Sequence, residues 1–263
     1  MVSCSLQGGL GNQMFQISAA YALALKNNDI SVFNFNQCHT PNQGYPSNKY
    51  KDTIFKNVKT VDEYKPSVIY TEPSFSYKEL PYHNNILLNG FFQSEKYFTG
   101  YEKEVCDLFS ILDSDKALIR ELVSIFKTVQ KPITSVNIRR GDYLNHSDYH
   151  NVCTIGYYKK AIEIIGDSYF VFMSDDMNWV KDNFGNNENY IFPDLKNEIL
   201  DLTMITMCDN NILSNSTFSW WGAYLNPNKN AIKIGPNKWF GPRGPKNYSD
   251  IIQKDWLTID NHQ

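Results

Sequence analysis

From Thr134 onward, short apolar runs alternate with stretches of helical spacing, and most of the apolar runs end in a polar cluster. Thr134–Ile138, Tyr169–Met173, Tyr190–Phe192, Asn211–Leu213 and Ala231–Ile234 read as strands. Between them, Tyr157–Ile165 carries Tyr158, Ala161, Ile162 and Ile165 on one helical face. Met177–Phe184, Glu198–Met207 and Thr217–Leu225 read as further helices. Strands alternating with helices are the signature of βαβ units and a parallel sheet. In open sheets of this kind, ligands bind outside the carboxyl ends of the strands. The strand exits here are Arg139-Arg140-Gly141-Asp142, Ser174-Asp175-Asp176, Ser214-Asn215-Ser216-Thr217 and Gly235-Pro236-Asn237. They are expected to converge on one crevice.

The first half begins in the same way. Val2–Leu6 reads as a strand, Gln7–Asn12 as a glycine-rich turn, Gln13–Lys26 as an amphipathic helix and Ile30–Phe35 as a second strand. Ile86–Phe91 reads as another strand and Asp115–Lys127 as a helix. Residues 36–85, rich in Asn, Tyr, Lys and Pro, read as loops. Proline ends a helix, so Gln130-Lys131-Pro132 marks a boundary. The expected domains are 1–130 and 131–263, and 263 residues suffice for a core in each.

Charge and cysteine content exclude several classes. A formal net charge of −3 argues against a nucleic-acid groove, yet leaves room for a small basic pocket. The five cysteines are widely spaced with no Cys-x-x-Cys pair, so neither a zinc site nor a disulfide framework is expected. No basic leader precedes a long apolar stretch, and no window approaches the roughly 18 apolar residues of a spanning helix. The expectation is a soluble, cytoplasmic protein.

Four segments carry chemistry. Arginine is planar, permanently charged and able to bind phosphate oxygens in bidentate fashion. Arg139 and Arg140 follow a buried strand, and adjacent side chains on an extended segment point opposite ways. One is expected to face a ligand while the other braces the loop or pairs with Asp142. The competing reading is a structural Arg–Asp salt bridge. Gly8-Gly9-Leu10-Gly11-Asn12-Gln13 joins a strand to a helix, as an anion-binding loop does, but fits neither a dinucleotide fingerprint nor a P-loop. A tight turn explains it equally well; Asn12 and Gln13 could donate amide hydrogen bonds to phosphate or sugar. Ser214-Asn215-Ser216-Thr217 supplies more hydroxyls at a strand–helix junction than capping needs. Asp175 and Asp176 suit a ribose, a guanine edge or a helix cap.

These segments together resemble glycosyltransferase family 11, the α-1,2-fucosyltransferases. The matching stretches are GGLGNQMFQ at Gly8–Gln16, GFFQSEKYF at Gly90–Phe98, NIRRGDY at Asn137–Tyr143, FVFMSDD at Phe170–Asp176 and ILSNSTFSWWGAYL at Ile212–Leu225. The resemblance implies an α/β, GT-B-like fold: two Rossmann-like domains with parallel sheets facing across a cleft. Residues 1–130 would be the acceptor side and 131–263 the donor side. It implies GDP-fucose as donor, a galactoside-containing glycan as acceptor, inversion to an α-1,2 linkage, and no divalent metal. Residue by residue, it makes Arg139 the β-phosphate ligand, with Arg140 and Asp142 its companions. It makes Asp175 or Asp176 the reader of guanine, Ser216 and Thr217 a phosphate loop, and Asn12 a donor contact. The family motif usually begins with histidine where this chain has Asn137. An amide keeps the hydrogen bond but not the charge, so donor affinity and pH dependence are expected to differ. Glu95, at a strand exit of the acceptor half, is the candidate general base, and it could equally cap the helix that follows. Another GDP-sugar or linkage, or glycan binding without catalysis, remain the alternative functions.

Overall fold

The computed structural model describes residues 1–40, 44–124 and 131–262. Contacts divide the chain into two units: Met1–Leu112 with Asn247–Gln253, and Asp113–Lys246 with Lys254–Gln263.

In the second unit the sequence pattern maps directly onto layers. Strand β4 (Ile133–Ile138) is buried along its whole length, as expected of a parallel strand covered on both faces. It pairs with β5 (Tyr169–Ser174) over six residues, from Ile133 against Tyr169 to Ile138 against Ser174. Residues on alternate sides of these strands meet different helices, since the side-chain period of a strand is two. Val136, Ile138, Phe170 and Phe172 share a core with Tyr157, Tyr158 and Ala161 of α4 (Ile155–Ile165) and Val180 of α5 (Met177–Phe184). Ile133, Val171 and Met173 pack with Ile119 and Val123 of α3 (Asp113–Ser124) and Met204 and Ile205 of α6 (Glu198–Met207). Here α3 lies N-terminal to residue 130 and belongs with the second unit through its two buried residues. Residues 125–127 of the expected helix, and Gln130 of the expected boundary, lie outside the described residues.

The sheet is completed by β6 (Tyr190–Ile191), β7 (Asn210–Ile212), β8 (Lys233–Pro236) and β9 (Leu257–Ile259), with α7 (Thr217–Tyr224) following β7. Its order is β6-β5-β4-β7-β8-β9, and every pair is parallel. Counted along the unit this is 3-2-1-4-5-6, the doubly wound order.

The first unit holds a smaller parallel sheet of β1 (Val2–Cys4), β3 (Ile86–Asn89) and β2 (Val68–Thr71), in the order β1-β3-β2. Helix α1 (Leu10–Lys26) is buried on most sides, and its buried polar residues are bonded: Ser18 Oγ, for example, donates to the Met14 carbonyl at 2.7 Å. The expected strand Ile30–Phe35 makes only isolated bridges, Ser31 to Val2 and Phe33 to Thr60. The chain leaves the extended path there because Asn34 accepts from the Asn36 N–H and opens a short helical turn, Phe35–Gln37. β2 and α2 (Glu102–Leu108) were not anticipated from the pattern. Among the described residues no helix is long and apolar enough to cross a membrane.

Candidate active site

Strand order in the large sheet reverses between β4 and β7, the switch point at which doubly wound sheets open a ligand crevice. β4 delivers Arg139 and Arg140 there, and β7 delivers Leu213 through Thr217.

The two arginines are held differently. Arg139 donates through Nη2 to Asp142, and its Nη1 lies 2.9 Å from Asp175 Oδ2. The Arg140 Nε lies 3.2 Å from Asp176 Oδ2, and its guanidinium sits 3.8 Å from the centroid of the Trp179 ring. Asp176 also accepts from the Trp179 N–H at 3.2 Å, capping α5. Arg140 is thus wedged between a ring and a capping carboxylate, 16% exposed, while Arg139 is 33% exposed. Asp175 bridges the pair, because its other oxygen accepts from the Arg140 backbone N–H at 2.9 Å. Gly141 makes this possible: a Cβ there would lie 2.5 Å from Asp175 Oδ2. Asp142 pairs with Arg139, the arginine to which the resemblance gives the donor phosphate. The tight helical turn Gly141–His146 starts at this point.

Beside Arg139, Tyr143 stacks on His150 with ring centroids 3.9 Å apart and planes 7° from parallel. The Arg139 guanidinium lies 5.3 Å from the Tyr143 centroid. Burial raises the Tyr143 hydroxyl above its ordinary value and pushes the His150 imidazole below its own, with Asp142 pulling the histidine the other way. Both rings are therefore neutral near pH 7. Sequence reasoning missed this pair, since one stacked ring seven residues from another leaves no periodic signal.

The loop after β7 is pinned through its carbonyls and amides. Tyr157 donates to the Leu213 carbonyl at 2.6 Å, Tyr143 to the Asn215 carbonyl at 3.2 Å, and Ser219 to those of Ser214 and Ser216. Asn215 is buried and donates to the Trp239 carbonyl at 2.8 Å. Thr154, Asp176 and Asn197 cap α4, α5 and α6 with side-chain hydrogen bonds, but Ser216 makes none at α7. The Ser216 side chain thus leaves the start of α7 uncapped by its own N-cap residue, and helix N-termini favour an anion. Asn137 lies on β4 opposite Met173, 8% exposed.

In the first unit, the glycine turn is packed by the chain itself. Gln13 is fully buried; its amide donates to the carbonyls of Gly8 (2.8 Å) and Tyr45 (2.9 Å) and accepts from Ser47 Oγ (2.8 Å). Gly44, at φ +69°, comes so near that a Cβ on it would lie 2.9 Å from Gly9 Cα. Close approach of backbone to backbone accounts for Gly44 and a φ of +76° for Gly8, and Gln13 is a brace. Asn12 accepts from Gln93 Nε2 at 2.9 Å. Glu95 opens the short turn Glu95–Tyr97, but its cap is Ser94, whose Oγ accepts from the Lys96 N–H.

A doubly wound unit with arginines and a helix N-terminus at its switch point has the architecture of nucleotide-handling α/β enzymes. Residues 1–260 match Glycosyl transferase family 11, and the chain belongs to that family. It is 30% identical to the O-antigen biosynthesis glycosyltransferase WbnK of Escherichia coli, over 98% of this chain and all of that protein. It is 26% identical to an alpha-1,2-colitosyltransferase of Escherichia coli, over 99% of each. It is 23% identical to a galactoside 2-alpha-L-fucosyltransferase of Caenorhabditis elegans, over 88% of this chain and 71% of that one. Among solved structures, the fucosyltransferase NodZ from Bradyrhizobium superposes with a TM-score of 0.56 at 12% identity, covering 86% of this chain and 92% of that one. The fold is therefore GT-B-like, as the motifs imply.

Proposed function

We propose that the protein transfers L-fucose from GDP-fucose to the 2-hydroxyl of a terminal β-galactoside, with inversion to an α-1,2 linkage. The observation that carries this reading is the meeting, at one switch point, of a partly exposed arginine with the N-terminus of α7, where Ser216 makes no side-chain cap. Arg139, Ser216, Thr217 and the α7 N–H groups bind the diphosphate. Arg140 and Asp142 set the position of Arg139, and Asp175 or Asp176 meets the base. Negative charge grows on the diphosphate as the sugar–oxygen bond breaks, and donors already aimed at it lower the barrier without a metal. The acceptor hydroxyl attacks from the opposite side and gives its proton to a general base, for which Glu95 is the candidate. One relative is named an alpha-1,2-colitosyltransferase and the nematode relative a galactoside 2-alpha-L-fucosyltransferase, which supports the 2-hydroxyl as nucleophile. Its five cysteines are free, as suits a reducing compartment, and the proposed location is the cytoplasm.

A colitosyl donor is the second reading, favoured by similarity to the colitosyltransferase over 99% of the chain. Incubation with GDP-fucose and a panel of β-galactosides, with and without EDTA, tests both. The expected result is GDP release and an α-1,2 product by NMR linkage analysis, unchanged by EDTA. Turnover only with another donor selects the second reading. Glycan binding without GDP release from any donor would sink both.

A further inference from the structure

The carboxyl edge of the small sheet holds a carboxylate that no motif singles out. Glu72 follows β2, and its Oε2 accepts from the Phe91 N–H at 2.8 Å while both oxygens lie 3.2 Å from the Phe92 N. Tyr97 OH approaches Oε1 at 3.5 Å. The segment so held is bent unusually: Phe92 has φ +52°, a conformation costly for a side chain with a Cβ. Gly90 has no side chain to spare, because a Cβ there would lie 2.4 Å from the Glu72 Cβ. Beyond the bend, Gln93 is buried and its amide holds Asn12. Strained backbone persists only where its surroundings over-determine it, and it gathers at functional sites.

We propose that Glu72 is a positioning residue for transfer: it latches the Gly90–Gln93 bend, and through Gln93 sets the side chain of Asn12 at the acceptor-side edge. This rests on the transferase reading above. The latch needs an ionised carboxylate, since a protonated one gives up acceptor capacity to two backbone N–H groups. Burial raises the Glu72 carboxyl above its usual range, against the pull of those same N–H groups. The titratable groups that feel its charge are Cys4 of β1, Tyr70 of β2 and Tyr97, all pushed upward and neutral near pH 7.

The sign separates this role from a merely structural one. As pH falls through the raised value, Glu72 takes a proton; a folded state that binds the proton more tightly than the unfolded chain gains stability on protonation. The bend loosens while global stability from this group improves. In the wild type, kcat/KM for the GDP-sugar is expected to fall on the acid side without a matching fall in Tm. Glu72→Gln should lose about tenfold in kcat/KM at neutral pH, keep or raise Tm, and lose its share of the acid-side decline. Amide exchange provides a readout independent of turnover: Phe91 and Phe92, corrected for intrinsic rates, should be protected in the wild type and exposed in Glu72→Gln. Wild-type turnover and pH profile in Glu72→Gln, or activity lost only in step with Tm, would overturn the proposal. If the wild type turns over no GDP-sugar, the transferase reading fails separately, and unchanged protection of Phe91 and Phe92 in Glu72→Gln still overturns the latch.

Discussion

At the carboxyl edge of the small sheet, Gln13 is fully buried and its amide is bound to Gly8, Tyr45 and Ser47. At the same edge of the large sheet, Arg139 is one-third exposed and rests on two carboxylates. Neutral amides in a buried lattice cannot change partners without leaving an orphan, at about 1–3 kcal/mol for each group. A partly exposed ion pair is worth roughly 0–1 kcal/mol and is screened by salt. The first edge is built to stay as it is. The second is built to exchange: under the proposed function, a diphosphate joins Arg139 in place of its contact with Asp175, at little cost to the fold.

This contrast is open to attack by substitution. Arg139→Ala should lower kcat with GDP-fucose by roughly 100- to 1000-fold, about 3 kcal/mol, while costing under about 1 kcal/mol of stability. Steady-state kinetics beside thermal melts check it, and near-normal turnover would remove Arg139 from the donor site. Gln13→Ala should behave oppositely, destabilising by about 2–3 kcal/mol because its partners lose their bonds. An unchanged Tm with lost donor binding would make Gln13 a ligand contact and erase the contrast. Asp201 asks whether charge alone marks exchangeability. Burial, with Glu198 and Asp194 as like-charged neighbours, raises its carboxyl to about 6. A raised carboxyl contributes stability at low pH that is lost as pH climbs from about 4 to about 6. Asp201→Asn should therefore raise stability by about 3 kcal/mol at pH 7 and by only about 0.5 kcal/mol near pH 4. Melts at both values decide it.

Much of the second unit was legible because both faces of its sheet are covered. β4 is buried on both sides, β5 is largely apolar, and the intervening helices carry their own stripes. β2 and β9 escaped notice for the opposite reason: they are short, mostly exposed edge strands with no alternation to read. The arginines could be found by type and position, but the pairing of Asp142 with Arg139 depends on how the chain turns after Gly141. Gln13 read as a possible ligand group because Tyr45 and Ser47, which consume it, lie far along the sequence. Glu72 gave no signal for the same reason, since its partners are backbone N–H groups.

Residues 247–253 are grouped with the first unit, where Asp250 is ion-paired with Lys96 and accepts from the Tyr77 N–H at 2.8 Å. The chain then returns to the second unit, where β9 pairs with β8 at the sheet edge. Neither unit can be excised as an uninterrupted stretch of gene. Recombination that traded one half for a homologue's would have to carry the tail as well, and a premature stop after Lys246 would damage both halves together. The two halves are therefore inherited, and lost, as one piece.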